Sequence, residues 1–139
     1  MGGEQAFQRV TLFAELSAND VAAITRAARP ESAAAGDVLC REGEPGHDFY
    51  VIVDGEATVD RGGRLLRRIG PGDSFGELAL LDRGPRSATV TAATDLRLLR
   101  LAELDFSALL DEVPALAHKL LAALARLLRE AEARSDAAG

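Results

Sequence analysis

The 139-residue sequence has one cysteine, Cys40, one tyrosine, no tryptophan and a single lysine, Lys119. A lone thiol cannot close an intrachain disulfide, so a secreted scaffold held by cystines is excluded. No stretch approaches the ~18 apolar residues of a membrane-spanning helix. Met1 to Gln5 has no basic region leading into an apolar run, so no signal peptide is expected. Histidine is scarce too: His47 and His118 lie far apart in the chain. A metal-dependent enzyme built on β-strands draws two or three histidines and a carboxylate into one site. No such set is present, and neither a metal nor a catalytic residue is expected. Cys40 lacks a histidine nearby and reads as an inert, packed thiol. The net charge of −6 argues against a nucleic-acid surface covering the domain, though it leaves room for a local basic pocket. Fifteen of the 16 basic residues are arginine in an alanine-rich chain, a bias that fits a GC-rich genome. These bounds describe one cytoplasmic domain in a reducing compartment.

With 47% hydrophobic and 27% charged residues, the chain has enough apolar material for an ordinary core. Its texture changes twice. In residues 1–30, Ser17 followed three residues later by Asp20 resembles a capping box, and Val21, Ile24, Ala27 and Ala28 repeat at helical spacing until Pro30. Phe7, Val10, Phe13 and Leu16 precede that helix as a shorter helix or a turn covering something apolar. Residues 31–101 are short β-like segments separated by glycine turns. Gly62-Gly63 fits a two-residue hairpin turn, Gly55 a tight turn, and Pro71-Gly72-Asp73 another. Residues 102–134 are helical again: Leu104, Leu109, Leu110 and Val113 form one run. Leu116, Leu120, Leu124, Leu127 and Ala131 form a longer stripe flanked by Leu121 and Leu128. Residues 135–139 are expected to fray. The fold class is α+β: an antiparallel β-roll, jelly-roll-like, between N-terminal and C-terminal helices.

One segment carries chemistry. After Pro71-Gly72-Asp73 come Ser74, Phe75, Gly76, Glu77, Leu78, Ala79, Leu80 and Leu81, and nine residues after Glu77 stands Arg86, followed by Ser87, Ala88 and Thr89. A short helix beginning near Gly76 would point its free N–H groups and positive dipole end at an anion. Glycine lets that anion approach the backbone, and a guanidinium grips phosphate oxygens with paired, charge-assisted hydrogen bonds. Glu77 repels an anion, so its target is a pair of hydroxyls or Arg86 itself. A ligand with both a phosphate and a free sugar hydroxyl suits all three elements.

F-G-E-L-A-L-L-x-x-x-P-R-S-A-T at Phe75 to Thr89 resembles the phosphate-binding cassette of cyclic nucleotide-binding domains. The stretches Ala35 to Val38 and Glu42 to Gly55 are similar to the strands preceding that cassette, and the resemblance runs from about Leu12 to Arg134. It implies a single stand-alone domain of the kind found in cAMP receptor proteins and protein kinase A regulatory subunits. Residues 75–89 would be the cassette, inside a β-roll. It implies that Glu77 binds the ribose 2′-hydroxyl and Arg86 the cyclic phosphate. The backbone N–H groups of Gly76, Leu78 and Ser87 or Ala88, with the Ser87 hydroxyl, would complete the cradle, and Phe75 and Ala79 flank it. The C-terminal helix would close over the base through Leu128, Ala131 and Glu132. The expected ligand is cAMP, with cGMP the alternative, and there is no further cofactor.

Singly, each residue has a plainer reading. Glu77 would be favoured in a helix's first turn by the dipole alone, by ~0.3–1 kcal/mol. Arg86 would serve as a surface arginine paired with Asp82 or Glu77. Arg61, Arg64, Arg67 and Arg68 crowd one hairpin and read first as an exposed edge kept soluble by charge, second as a docking patch. The expectation is a non-enzymatic receptor whose occupancy shifts the C-terminal helices and is sensed by an effector protein or by a second copy through the leucine stripe. Against it stands a nucleotide-independent interaction scaffold of the same fold, with Glu77 paired to Arg86. No output module, membrane partner or nucleic-acid partner is read in these residues.

Overall fold

Ser17 sets the start of a ten-residue helix. Its extended backbone and its hydroxyl, which accepts from the Asp20 N–H at 3.1 Å, cap helix α1 (Ala18–Ala27). The computed structural model describes residues 7–10, 13–76 and 84–138. After α1 the chain forms β1 (Arg29–Ala33), β2 (Val38–Cys40), β3 (Asp48–Asp54), β4 (Ala57–Arg61) and β5 (Arg64–Ile69). Then follow β6 (Ser74–Phe75), β7 (Thr89–Ala92) and β8 (Leu96–Ala102), and finally helices α2 (Glu103–Glu112) and α3 (Pro114–Ala138).

The strands pair into two antiparallel four-stranded sheets, β1-β8-β3-β6 and β2-β7-β4-β5. The expected α+β roll between helical ends is the observed architecture. Pro30 lies inside β1, where it is tolerated because β1 is an edge strand; α1 ends before it, at Ala27. Gly62 and Gly63, with φ of 59° and 79°, make the tight β4–β5 hairpin turn.

Side-chain alternation in β3 and β8 divides the interior in two. Phe49, Val51 and Leu101 face the helices, where they pack with Val21, Ile24, Phe106, Leu116 and Leu120. Ile52, Leu96 and Leu98 face inward between the sheets, against Val59, Ile69, Phe75 and Val90. Phe7, Val10, Phe13 and Leu16 are all buried in the helical layer, so the segment before α1 is a lid on that core. Phe13 is the hub of its aromatic cluster, with ring centroids 6.3 Å from Phe7, 6.1 Å from Phe49 and 6.1 Å from Phe106.

One expectation at the C-terminal end is corrected. The first helix there is anchored by Phe106, fully buried, whereas Leu104 is 73% exposed. Helix α3 extends through Ala138. No proline or glycine interrupts residues 115–138, which are rich in alanine, leucine, arginine and glutamate, all strong helix formers.

Helix α3 is tied to the N-terminal elements by Leu116, Leu120 and Ala123 in the core and by two ion pairs. Lys119 Nζ donates to Asp20 Oδ2 at 2.6 Å, and Arg126 pairs with Glu15. The Lys119 hydrogen bond holds the Asp20 carboxyl below its ordinary value. A carboxylate lowered in the fold contributes stability above its unfolded pKa and loses it as pH falls through the folded value. Lys119 is half exposed, so the contribution is small, about 0.5–1 kcal/mol. Asp20→Asn should therefore melt below the wild type at pH 7. The gap should begin to narrow near about pH 4 and vanish on further acidification; thermal denaturation followed by circular dichroism across pH 2–7 measures it.

Candidate functional site

The site grows out of the start of β3. Tyr50 pairs in register with Phe75 on β6, and the two rings stack at 5.0 Å with an interplanar angle of 19°. This pairing fixes the end of β6 and places Gly76 over the Asp48 carbonyl. Gly76 has φ +86°, a left-handed conformation, and a Cβ there would lie 2.8 Å from the Asp48 carbonyl oxygen.

On the opposite side, the segment at 84–86 is laced to the loop at 43–46 by backbone bonds. The Arg86 N–H donates to the Glu44 carbonyl at 2.8 Å, the Gly43 N–H to the Arg86 carbonyl at 2.9 Å, and the Gly46 N–H to the Gly84 carbonyl at 3.2 Å. The Arg86 side chain therefore leaves a rigid backbone. Its Nη2 donates to the Asp48 carbonyl at 2.8 Å. Its stem and guanidinium lie directly against Gly46 and Gly76, since a Cβ on Gly46 would sit 2.7 Å from Arg86 Cδ and a Cβ on Gly76 would collide with Nη1.

Among the described residues no carboxylate pairs with Arg86. Asp48, whose carbonyl accepts from Arg86, has its own carboxylate engaged: Arg100 Nε donates to Asp48 Oδ2 at 2.7 Å. Arg100 in turn pairs with Glu31 at 3.3 Å. One residue thus supplies a carbonyl to Arg86 and a carboxylate to Arg100. The guanidinium of Arg86 lies beside a cavity of about 570 Å³.

That cavity is walled by three parts of the fold. The cassette contributes Phe75, Gly76, Gly84–Ala88 and Ser74; β2 and β7 contribute Cys40 and Val90; the β4–β5 hairpin contributes Val59, Arg61, Leu66 and Arg67. Burial pushes the Cys40 thiol up from its ordinary pKa, with Arg86 acting in the opposite direction, so the thiol stays neutral at physiological pH. Burial likewise raises the Tyr50 phenol.

The structure brings together Phe75, Gly76, Arg86, Ser87 and Ala88 from the predicted set. Glu77, Leu78 and Ala79, and with them the expected short helix, lie outside the described residues. Leu128, Ala131 and Glu132 are exposed on α3, and none of them lines the cavity. Helix α3 is instead paired with Asp20 and Glu15.

Sequence reasoning read Arg61 and Arg67 only as hairpin residues and Cys40 only as a packed thiol, and assigned neither Leu66 nor Gly46 a part in the site. Arg61 Nε donates to the Ser87 carbonyl at 2.8 Å, which binds the hairpin to the cassette. Strand parity was the available signal. Arg61 shares a face with Val59, and Arg67 shares one with Ile69; both of those partners are buried.

The comparisons with known proteins agree with this geometry. A family model described as the cyclic nucleotide-binding domain matches residues 30–113, which include the whole cassette and stop before α3. A cyclic nucleotide-gated potassium channel from Rhizobium etli is 40% identical over 116 residues, covering 84% of this chain and 32% of the channel. A cyclic AMP receptor protein from Thermus thermophilus is 42% identical over 106 residues, covering 73% of this chain and 49% of that protein. The chain thus spans between a third and a half of these curated relatives. The crystal structure of the N-terminal domain of a Streptomyces coelicolor A3(2) transcriptional regulator superposes with a TM-score of 0.85 at 36% identity, covering 93% of each chain. The chain belongs to the cyclic nucleotide-binding domain family.

Proposed function

We propose that this chain is a receptor for a 3′,5′-cyclic nucleotide, with cAMP the first candidate and cGMP the second, and that it acts by binding rather than catalysis. The observation that carries the reading is Arg86: a guanidinium without a carboxylate partner among the described residues, seated on two glycines beside a cavity of nucleotide size. A cyclic phosphate carries one negative charge, and Arg86 meets it with charge-assisted donors while its position is held by the Asp48 carbonyl. By the family resemblance, the N–H groups of Gly76, Leu78 and Ser87 or Ala88, with the Ser87 hydroxyl, would complete the cradle, and Glu77 would accept from the ribose 2′-hydroxyl. The preference for cAMP is supported by the name of the Thermus thermophilus relative.

The output is a movement of α3. In this structure the helix is drawn toward the N-terminal elements by Asp20 and Glu15. A bound base offers its Leu128, Ala131 and Glu132 face a new surface, and the ligand acts to the extent that it binds the rearranged helix better. Leu121 and Leu128, 63% and 61% exposed and seven residues apart, give α3 an apolar seam on which a second copy docks.

Calorimetric titration with cAMP and with cGMP tests the receptor. Micromolar or tighter binding is expected, with Arg86→Ala weakening it by about 2–5 kcal/mol, the cost of truncating one partner of a buried charge pair. Absence of binding by the wild type would leave a nucleotide-independent scaffold. Gly46→Ala should weaken binding while leaving the melting temperature nearly unchanged, because its Cβ displaces the Arg86 side chain without touching the core. Sedimentation should show a dimer that becomes monomeric in Leu121→Glu/Leu128→Glu.

A further inference from the structure

The ligand cavity has a floor that the sheet register defines. On the β2-β7-β4-β5 sheet, Cys40 pairs with Val90, Val90 with Val59, and Val59 with Arg67. Residues paired across antiparallel strands stand on the same face, and Val59 and Val90 are buried between the sheets. The four side chains therefore form one inward row, and all four line the cavity. The neighbouring inward row, Ala92, Ala57 and Ile69, is apolar and buried to its end. Where that core row ends on an isoleucine, the cavity row ends on an arginine.

The two ends of the floor face different parts of a ligand. Arg86 belongs to the β2 side, because its backbone is laced to the loop at 43–46 that follows β2. Arg67 stands on β5, three interstrand spacings from Cys40, about 14 Å away. A nucleotide with its phosphate on Arg86 has the apolar middle of the row beneath it and Arg67 at its far end. Among the described residues no side-chain hydrogen bond or ion pair engages Arg67. Arg61, the other hairpin arginine of the cavity, has its Nε committed to the Ser87 carbonyl at 2.8 Å. Asp73, which shares a smaller adjoining cavity with Arg67, accepts from the Gly70 N–H at 2.8 Å.

A guanidinium offers donors only. Guanine presents two acceptors, O6 and N7, on one edge, whereas adenine presents N7 beside an N6 donor. An arginine at the base end of the floor meets the first edge with two hydrogen bonds and sets a donor against a donor on the second. We infer that Arg67 is a specificity-determining residue of this site, favouring a cyclic nucleotide whose base is a 6-oxopurine. The inference rests on the receptor reading above and deepens it. It assigns to Arg67 the guanine-directed part of the choice between cGMP and cAMP, whichever of the two binds more tightly overall.

Calorimetric titration of the full chain with cAMP, cGMP, cyclic IMP and 7-deaza-cGMP tests it. Affinity ratios are taken within each variant, so that any effect on folding cancels. Cyclic IMP keeps O6 and N7 but lacks the 2-amino group, and 7-deaza-cGMP lacks the N7 acceptor. With the wild type, cyclic IMP should follow cGMP, and 7-deaza-cGMP should bind several-fold more weakly. Arg67→Ala should lower the cGMP-to-cAMP ratio by about tenfold and bring cGMP and 7-deaza-cGMP together. Arg67→Gln should move the ratio further toward cAMP, because a glutamine amide pairs with adenine N6 and N7. A merely structural arginine would not make the preference follow the hydrogen-bond pattern of its replacement. An unchanged ratio in both variants, with both nucleotides still lost in Arg86→Ala, would overturn this inference and leave the receptor standing. Equal wild-type affinities for cGMP and 7-deaza-cGMP would overturn it as well. No binding of any of the four by the wild type would overturn the receptor reading and this inference together.

Discussion

Asp48 is the residue on which the arrangement of this domain turns. Its carbonyl receives Arg86 at 2.8 Å and its carboxylate receives Arg100 at 2.7 Å. The two contacts use chemically different atoms, so they do not compete. Arg100 lies on β8 and reaches Glu31 on β1, which makes Asp48 the junction of the β1-β8-β3 sheet and the cassette. Arg100 is the carboxylate's partner, and hydrogen bonding to Asp48 in turn holds the Arg100 guanidinium above its ordinary pKa.

Around that junction the two apolar layers have different tasks. The layer between the sheets, closed by Phe75 stacked on Tyr50, sets the end of β6 and hence the position of Gly76. The helical layer, centred on Phe13, Phe49 and Phe106, sets where α2 and α3 rest. β3 and β8 serve both layers because successive side chains point to opposite faces. Tyr50, stacked on Phe75, is thus flanked along β3 by Phe49 and Val51, which pack in the helical layer.

Much of this was legible beforehand because it is local. Ser17 and Asp20 marked the start of α1, Gly62-Gly63 marked the hairpin, and the β-like runs marked β3, β4, β5 and β8. Gly76 and Arg86 were legible as residues whose chemistry suits a phosphate, and Phe75, Ser87 and Ala88 joined them through the family resemblance. Long-range placement was not legible. Leu104 read as part of an apolar stripe, but only Phe106 is buried in α2. Arg61 and Arg67 read as solvated edge residues, although strand parity with Val59 and Ile69 turns them toward the cavity. The position of α3 was not legible either, since it follows Lys119 and Arg126 to acidic partners in the N-terminal segment.

The sequence by itself determined the alternation of helical and extended segments, the turns, the identity of the cassette residues and the membership of the family, since each depends on neighbours within a few residues or on a contiguous motif. Only the tertiary structure decided which atoms of Asp48 meet which arginine, that Gly46 from a distant loop makes room for Arg86, and where α3 lies relative to the cavity. Those outcomes depend on pairs far apart in sequence. Their geometry is set by sheet register and close packing, which local propensity does not encode.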